Sequence, residues 1–84
     1  MPKIEVSKSS QENLLKLPKN KQKIITRKIL ILKEDPLLGK RLSGKLKSFF
    51  SLKIWPYRII YDFDKKKKKI TIHKIQHRQN VYKK

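Results

Sequence analysis

The sequence predicts an α+β domain: a short N-terminal strand, a helical hairpin, then a three-stranded antiparallel meander with both helices on one sheet face. Three observations predict it. Residues 49–76 alternate apolar and polar side chains through three runs separated by turn signals, the pattern of half-buried strands. Residues 19–34 repeat aliphatics at helical spacing, with Ile25, Ile29 and Leu32 at i, i+4, i+7. The 84 residues contain 26 Leu, Ile, Val or Phe, enough for one thin core and too many for a disordered chain. We therefore expect a single domain over residues 1–84.

The elements follow in order. Lys3-Ile4-Glu5-Val6-Ser7 alternates as a first strand would. Ser9-Ser10-Gln11-Glu12 offers a capping box, with Leu14, Leu15 and Leu17 as the apolar side of a short helix that Pro18 stops. The helix over 19–34 has Ile24 and Ile31 flanking its core stripe and ends at Asp35-Pro36. Residues 37–48 hold both glycines and are expected to be a connecting loop. Strands follow near 49–55, 57–63 and 69–76, and the lysines from 65 to 69 mark a solvated hairpin tip.

Net charge is +18, split as +5 over residues 1–36 and +13 over 37–84. The absence of alanine and the preference for Lys over Arg suit an AT-rich coding bias, but such a bias does not explain having six acids against 24 bases. A charge this dense attracts polyanions, and nucleic acid is the expected partner rather than a membrane. There is no cysteine, so disulfide, thiol and zinc-thiolate chemistry is excluded. No leader-like or 18-residue apolar run is present, so the expected location is the cytoplasm.

A two-residue turn at Trp55-Pro56 would pair Ile54 with Tyr57, Lys53 with Arg58, Leu52 with Ile59 and Ser51 with Ile60. Leu52, Ile54, Tyr57, Ile59, Tyr61 and Phe63 then share a core face that Ile70 and Ile72 join. Ser51, Lys53, Arg58, Ile60, Asp62, Thr71, His73, Ile75 and, by the same parity, His77 take the other. Lys53 opposite Arg58 is a like-charge pair that destabilises a sheet unless an anion sits between them. Alternatively both side chains splay into water, or Asp62 offsets Arg58. Arginine's planar fork suits phosphate, and the chain has only four arginines, two of them Arg58 and Arg78. His77 and Tyr82 are the candidate proton-transfer groups, and His73 is expected to contact RNA without taking part in chemistry.

Leu14-x-x-Leu17-Pro18, Leu32-x-x-Asp35-Pro36, Leu42-x-Gly44, Leu52-Lys53-x-x-x-Tyr57-Arg58-Ile59-Ile60-Tyr61 and His77-Arg78-x-x-Val81-Tyr82 together resemble the RelE/ParE superfamily of type II toxins. The resemblance, closest to the RelE-like branch, covers nearly the whole chain. It implies a ribosome-dependent, cofactor-free and metal-independent endoribonuclease that cuts mRNA by 2′-OH attack on the adjacent phosphate. Its partners would be the ribosome, mRNA and a cognate acidic antitoxin, in a toxin–antitoxin hetero-oligomer.

On this resemblance Lys53 and Arg58 hold and activate the phosphate, Arg78 stabilises its charge, Tyr82 stacks on or orients the base, and His77 serves as acid or base. Ser51, His73, Lys45 and Lys47 are expected RNA contacts. Ser51 stands where some RelE-like members carry a second lysine, so the cation cluster is thinner there. The other readings are a ParE-like gyrase inhibitor without nuclease chemistry and a non-enzymatic basic nucleic-acid-binding protein.

Overall fold

A computed structural model describes residues 2–42, 44 and 48–77. Strand β1 (Lys3–Val6) leads into helices α1 (Lys8–Leu15) and α2 (Lys19–Glu34), followed by β2 (Lys40–Arg41), β3 (Phe49–Ile54), β4 (Tyr57–Asp64) and β5 (Lys69–His77). The strands form one sheet in the order β1-β5-β4-β3-β2. The meander β3-β4-β5 is antiparallel, β1 runs parallel to β5, and β2 lies antiparallel against the outer edge of β3. Among the described residues no helix is long and apolar enough to cross a membrane.

The α+β architecture is the expected one, with two additions. Residues 37–48 contain the two-residue strand β2, which is too short to leave any periodic signal. The sheet also has five strands, because β1 closes the far side of β5. The hairpin at Trp55-Pro56, whose peptide is cis, pairs Ile54 with Tyr57, Lys53 with Arg58, Leu52 with Ile59 and Ser51 with Ile60, as the alternation requires.

Helix α2 buries Ile25, Ile29 and Leu32 against Phe50, Ile54, Ile59, Tyr61, Ile70, Ile72 and Ile75 of the sheet. Leu14 of α1 joins the same cluster, so both helices cover one face. Leu15, expected on the buried side, is instead 75% exposed. Successive helical residues lie about 100° apart, so with Leu14 packed on the core Leu15 turns to solvent.

One irregularity decides which side chains share a face. On β5, Ile72 pairs with Tyr61 and Lys74 with Ile60, so His73 is an extra residue in a β-bulge. Past it the alternation flips. Ile75 pairs with Ile59 and is buried, not on the open face where simple alternation put it. His77 pairs with Tyr57, their rings edge to face at 5.3 Å, and so lies on the helix-covered side.

The bulge is held by α1. Beyond Val6 the first strand no longer pairs with β5, leaving backbone groups that need partners. Ser7 supplies its N–H to the Ile72 carbonyl at 3.0 Å, and its hydroxyl lies 3.0 Å from the His73 carbonyl. The buried Ser10 hydroxyl donates to the Ile72 carbonyl, and Asn13 Oδ1 accepts from the Ile75 N–H. Ser7 is also the N-cap of α1, accepting from the Ser10 N–H at 3.1 Å. The expected Ser9–Glu12 capping box does not form, because the chain turns helical two residues sooner to reach β5.

Tyr61 ties the sheet to the loop before β2. Its fully buried phenol donates to the Pro36 carbonyl at 2.9 Å and accepts the Gly39 N–H at 2.8 Å. A Cβ on Gly39 would lie 2.8 Å from the Tyr61 oxygen, so only glycine fits this approach. Burial, together with the charge of Asp35, raises the Tyr61 pKa, and the Gly39 hydrogen bond partly opposes it.

Ser10→Ala should lower stability by about 1–2 kcal/mol, because it removes a buried hydrogen bond at the bulge. Ser9→Ala, at an exposed position, should change the melting temperature little. The raised Tyr61 pKa keeps the folded phenol protonated where the unfolded one ionises. That contribution is complete below about pH 10 and lost as pH rises through the folded value. Tyr61→Phe should remove this alkaline component from a stability–pH curve. At neutral pH it should cost about 1–3 kcal/mol, or roughly 4–8 °C in Tm for each kcal/mol.

Candidate functional site

The face away from the helices carries no helix among the described residues. Alternation and the hairpin register bring Ser51, Lys53, Arg58 and Ile60 onto it from β3 and β4. Strand β2 adds Lys40, directly opposite Ser51. The bulge turns Lys74 and Gln76 of β5 onto the same face, opposite Ile60 and Arg58. Asp62, Thr71 and His73 lie farther along it, and the Asp62–His73 pair closes at 2.7 Å.

Two hollows flank Arg58. The first, about 590 Å³, is lined by residues 38–42 together with Ser51, Leu52, Lys53 and Arg58. Four of its lining residues are cations (Lys40, Arg41, Lys53, Arg58) and none is acidic. Like charges so close raise the local potential and make the hollow an anion site. Arg41, paired with Phe50, holds its guanidinium over that core ring at 5.2 Å and so leans to the helix-covered side, leaving Lys40, Lys53 and Arg58 as the cations of the open face.

Ser51 lines the same hollow. It is only 8% exposed, and its buried hydroxyl has no hydrogen-bond partner among the described residues, a local cost to stability.

The second hollow, about 530 Å³, is lined by Leu42, Phe49, Arg58, Ile60, His73, Lys74 and Gln76. Phe49 and His73 meet edge to face at 5.0 Å, an aromatic corner on the solvent side of the sheet.

Of the residues the sequence singled out, Ser51, Lys53 and Arg58 come together, and His73 stands at the far end of the adjoining hollow. His77 does not join them, since the bulge carries it to the opposite face beside Tyr57. Arg78, Tyr82, Lys45 and Lys47 lie outside the described residues. Lys40 and Arg41 were missed as site residues because they fall in an expected loop. The only sequence signal was a Lys-Arg pair following Gly39, and Gly39 is the residue that lets the loop approach Tyr61.

Fold and face together define a small, strongly basic α+β protein with a cation-lined hollow on the uncovered side of its sheet. The chain belongs to the ParE toxin family of type II toxin-antitoxin systems: the family model for the parDE toxin matches residues 4–82. Among solved structures it is similar to the toxin of the RelBE2 toxin-antitoxin complex from Mycobacterium tuberculosis. That match has 26% identity and a TM-score of 0.85, over 93% of this chain and 100% of the other. It also resembles the archaeal RelE-RelB complex from Pyrococcus horikoshii, at 24% identity and a TM-score of 0.77, over 92% of this chain and 94% of the other. The isolated Escherichia coli RelE toxin shares the fold at 15% identity and a TM-score of 0.81, over 92% of this chain and 84% of the other. A search of curated protein sequences returns no match.

Because Lys53 and Arg58 repel across the strands, Lys53→Met should raise the stability of the free protein by about 0.2–1 kcal/mol. The same change should weaken binding of single-stranded RNA and reduce its log–log salt slope by about 0.7. Thermal melts and affinities over a salt series measure the two opposed effects.

Proposed function

We propose that this toxin is a ribosome-dependent endoribonuclease that cuts mRNA by attack of a ribose 2′-OH on the adjacent phosphate. The observation that carries the reading is the first hollow, where Lys40, Lys53 and Arg58 converge on an open sheet face. In the reaction the 2′-oxygen bonds to phosphorus and its proton passes to a base. The bond from phosphorus to the 5′-oxygen breaks, and that oxygen takes up a proton. Negative charge grows on the non-bridging oxygens, where preorganised cations lower the barrier most.

Arg58 grips those oxygens with its planar fork, and Lys53 and Lys40 add point charges from the neighbouring strands. Lys40 supplies the cation that Ser51 lacks. Arg78 and Tyr82 keep the roles the resemblance assigns them, charge stabilisation and orientation of the base. His77 is given no step, because it lies on the other face of the sheet. Substrate mRNA is presented by the ribosome, and no metal is needed in this scheme.

An acidic antitoxin is the natural inhibitor of so basic a chain, and two of the solved relatives are complexes with antitoxins. Ile24, Leu30, Ile31, Leu37 and Leu38 are exposed apolar residues on α2 and the loop after it. Leu38 also lines the first hollow, so a segment packed there reaches the site. A second reading, a gyrase inhibitor without nuclease chemistry, is favoured by the family model itself.

Primer extension on transcripts isolated after induction separates the two. Codon-dependent cuts in ribosome-bound mRNA are expected, falling about 10²–10³-fold in Arg58→Ala with the fold retained. Intact transcripts together with gyrase-linked DNA breaks would establish the second reading.

A further inference from the structure

The second hollow is unusual for the solvent side of a sheet in so polar a chain. Phe49 and Ile60, both half-buried, form an apolar floor there, although the helix-covered face already holds the core. An open antiparallel sheet normally keeps such positions polar. Around the floor stand groups that hydrogen-bond in both directions: the Gln76 amide, and the His73 ring oriented by Asp62 at 2.7 Å. At about 530 Å³ the space is within the ordinary range for small-ligand pockets. Arg58 lines this hollow and the cation-lined one alike, so a phosphate at Arg58 sits at the mouth of both.

We propose that this hollow is a nucleobase pocket for single-stranded RNA. It takes the base next to the phosphate held at Arg58: Phe49 and Ile60 stack on its face, while Gln76 and the Asp62–His73 pair read its edge. The inference rests on the RNA-cleaving reading and adds the residues that set its sequence preference.

The geometry favours a base over other occupants. Along β4 the face residues Arg58, Ile60 and Asp62 are about 7 Å apart, so the pocket runs away from the phosphate grip as a base extends from its backbone. The perpendicular rings of Phe49 and His73 let a planar group lie on one ring while its edge meets the other. Base stacking on aromatic side chains tolerates any base, and hydrogen bonds at the rim discriminate among them. Lys74 at the rim adds attraction for the next phosphate.

The test is a double-mutant cycle with 2′-O-methyl RNA trinucleotides, which cannot be cut because the attacking hydroxyl is blocked. Affinity is measured for the full chain and for Phe49→Ala, each with intact trinucleotides and with trinucleotides abasic at one position. Phe49→Ala is expected to weaken binding about tenfold. At one position the abasic change should cost the wild type as much and cost Phe49→Ala almost nothing. Phe49→Leu, which keeps an apolar floor and guards against misfolding, should lie between the two.

His73→Gln and Asp62→Asn should reorder the four bases at that position, whereas Phe49→Ala weakens all four. Additive losses at every position, or no trinucleotide binding by the wild type, would overturn the pocket. Cleavage of ribosome-bound mRNA by the same proteins keeps the two inferences apart. Coupled binding without wild-type cleavage retains the pocket and removes the nuclease reading. Cleavage with additive losses does the reverse.

Discussion

The structure depends on one extra residue in β5. By inserting His73 opposite the step between Ile60 and Tyr61, the bulge sends Ile70, Ile72 and Ile75 into one core although their spacing breaks strict alternation. The same insertion brings Lys74 and Gln76 onto the open face beside His73 and withdraws Ile75 and His77 from it. A bulge leaves backbone groups without ladder partners, so it persists only where other groups supply them. Here α1 does so, through Ser7, Ser10 and Asn13. The first turns of the chain therefore stabilise the geometry of a site built from its last third.

A second constraint acts at the other edge of the sheet. Tyr61 is a core residue that spends its hydroxyl on the loop, binding Pro36 and Gly39 and so delivering Lys40 to the cation-lined hollow. Core packing and site electrostatics thus meet in one side chain. The resulting charge cluster is unfavourable for the free protein and useful only when an anion arrives, a common compromise in binding surfaces. The buried Ser51 hydroxyl, without a partner among the described residues, is a further local cost.

Much of this was legible in the sequence for identifiable reasons. Ile25, Ile29 and Leu32 recur at helical spacing because one stripe of α2 is buried, and the hairpin register followed from a two-residue turn between alternating runs. Both signals are local. Ser7, Ser9 and Ser10 are all competent caps, and contact with β5, 66 residues away in sequence, selects Ser7. Strand β2 escaped notice because two residues paired to a distant edge carry no periodicity of their own.

By itself, the sequence determined the fold class, the antiparallel hairpin and the meeting of Lys53 with Arg58, since each follows from spacing between near neighbours. Its net charge of +18 is likewise a property of the sequence alone, and it sets a long-range attraction for polyanions. Tertiary structure alone decided which face received each residue of β5, and it brought Lys40 opposite Ser51. The reason is physical. Alternation propagates only until a bulge resets it, and whether a bulge forms depends on hydrogen-bond donors and acceptors supplied from elsewhere in the chain.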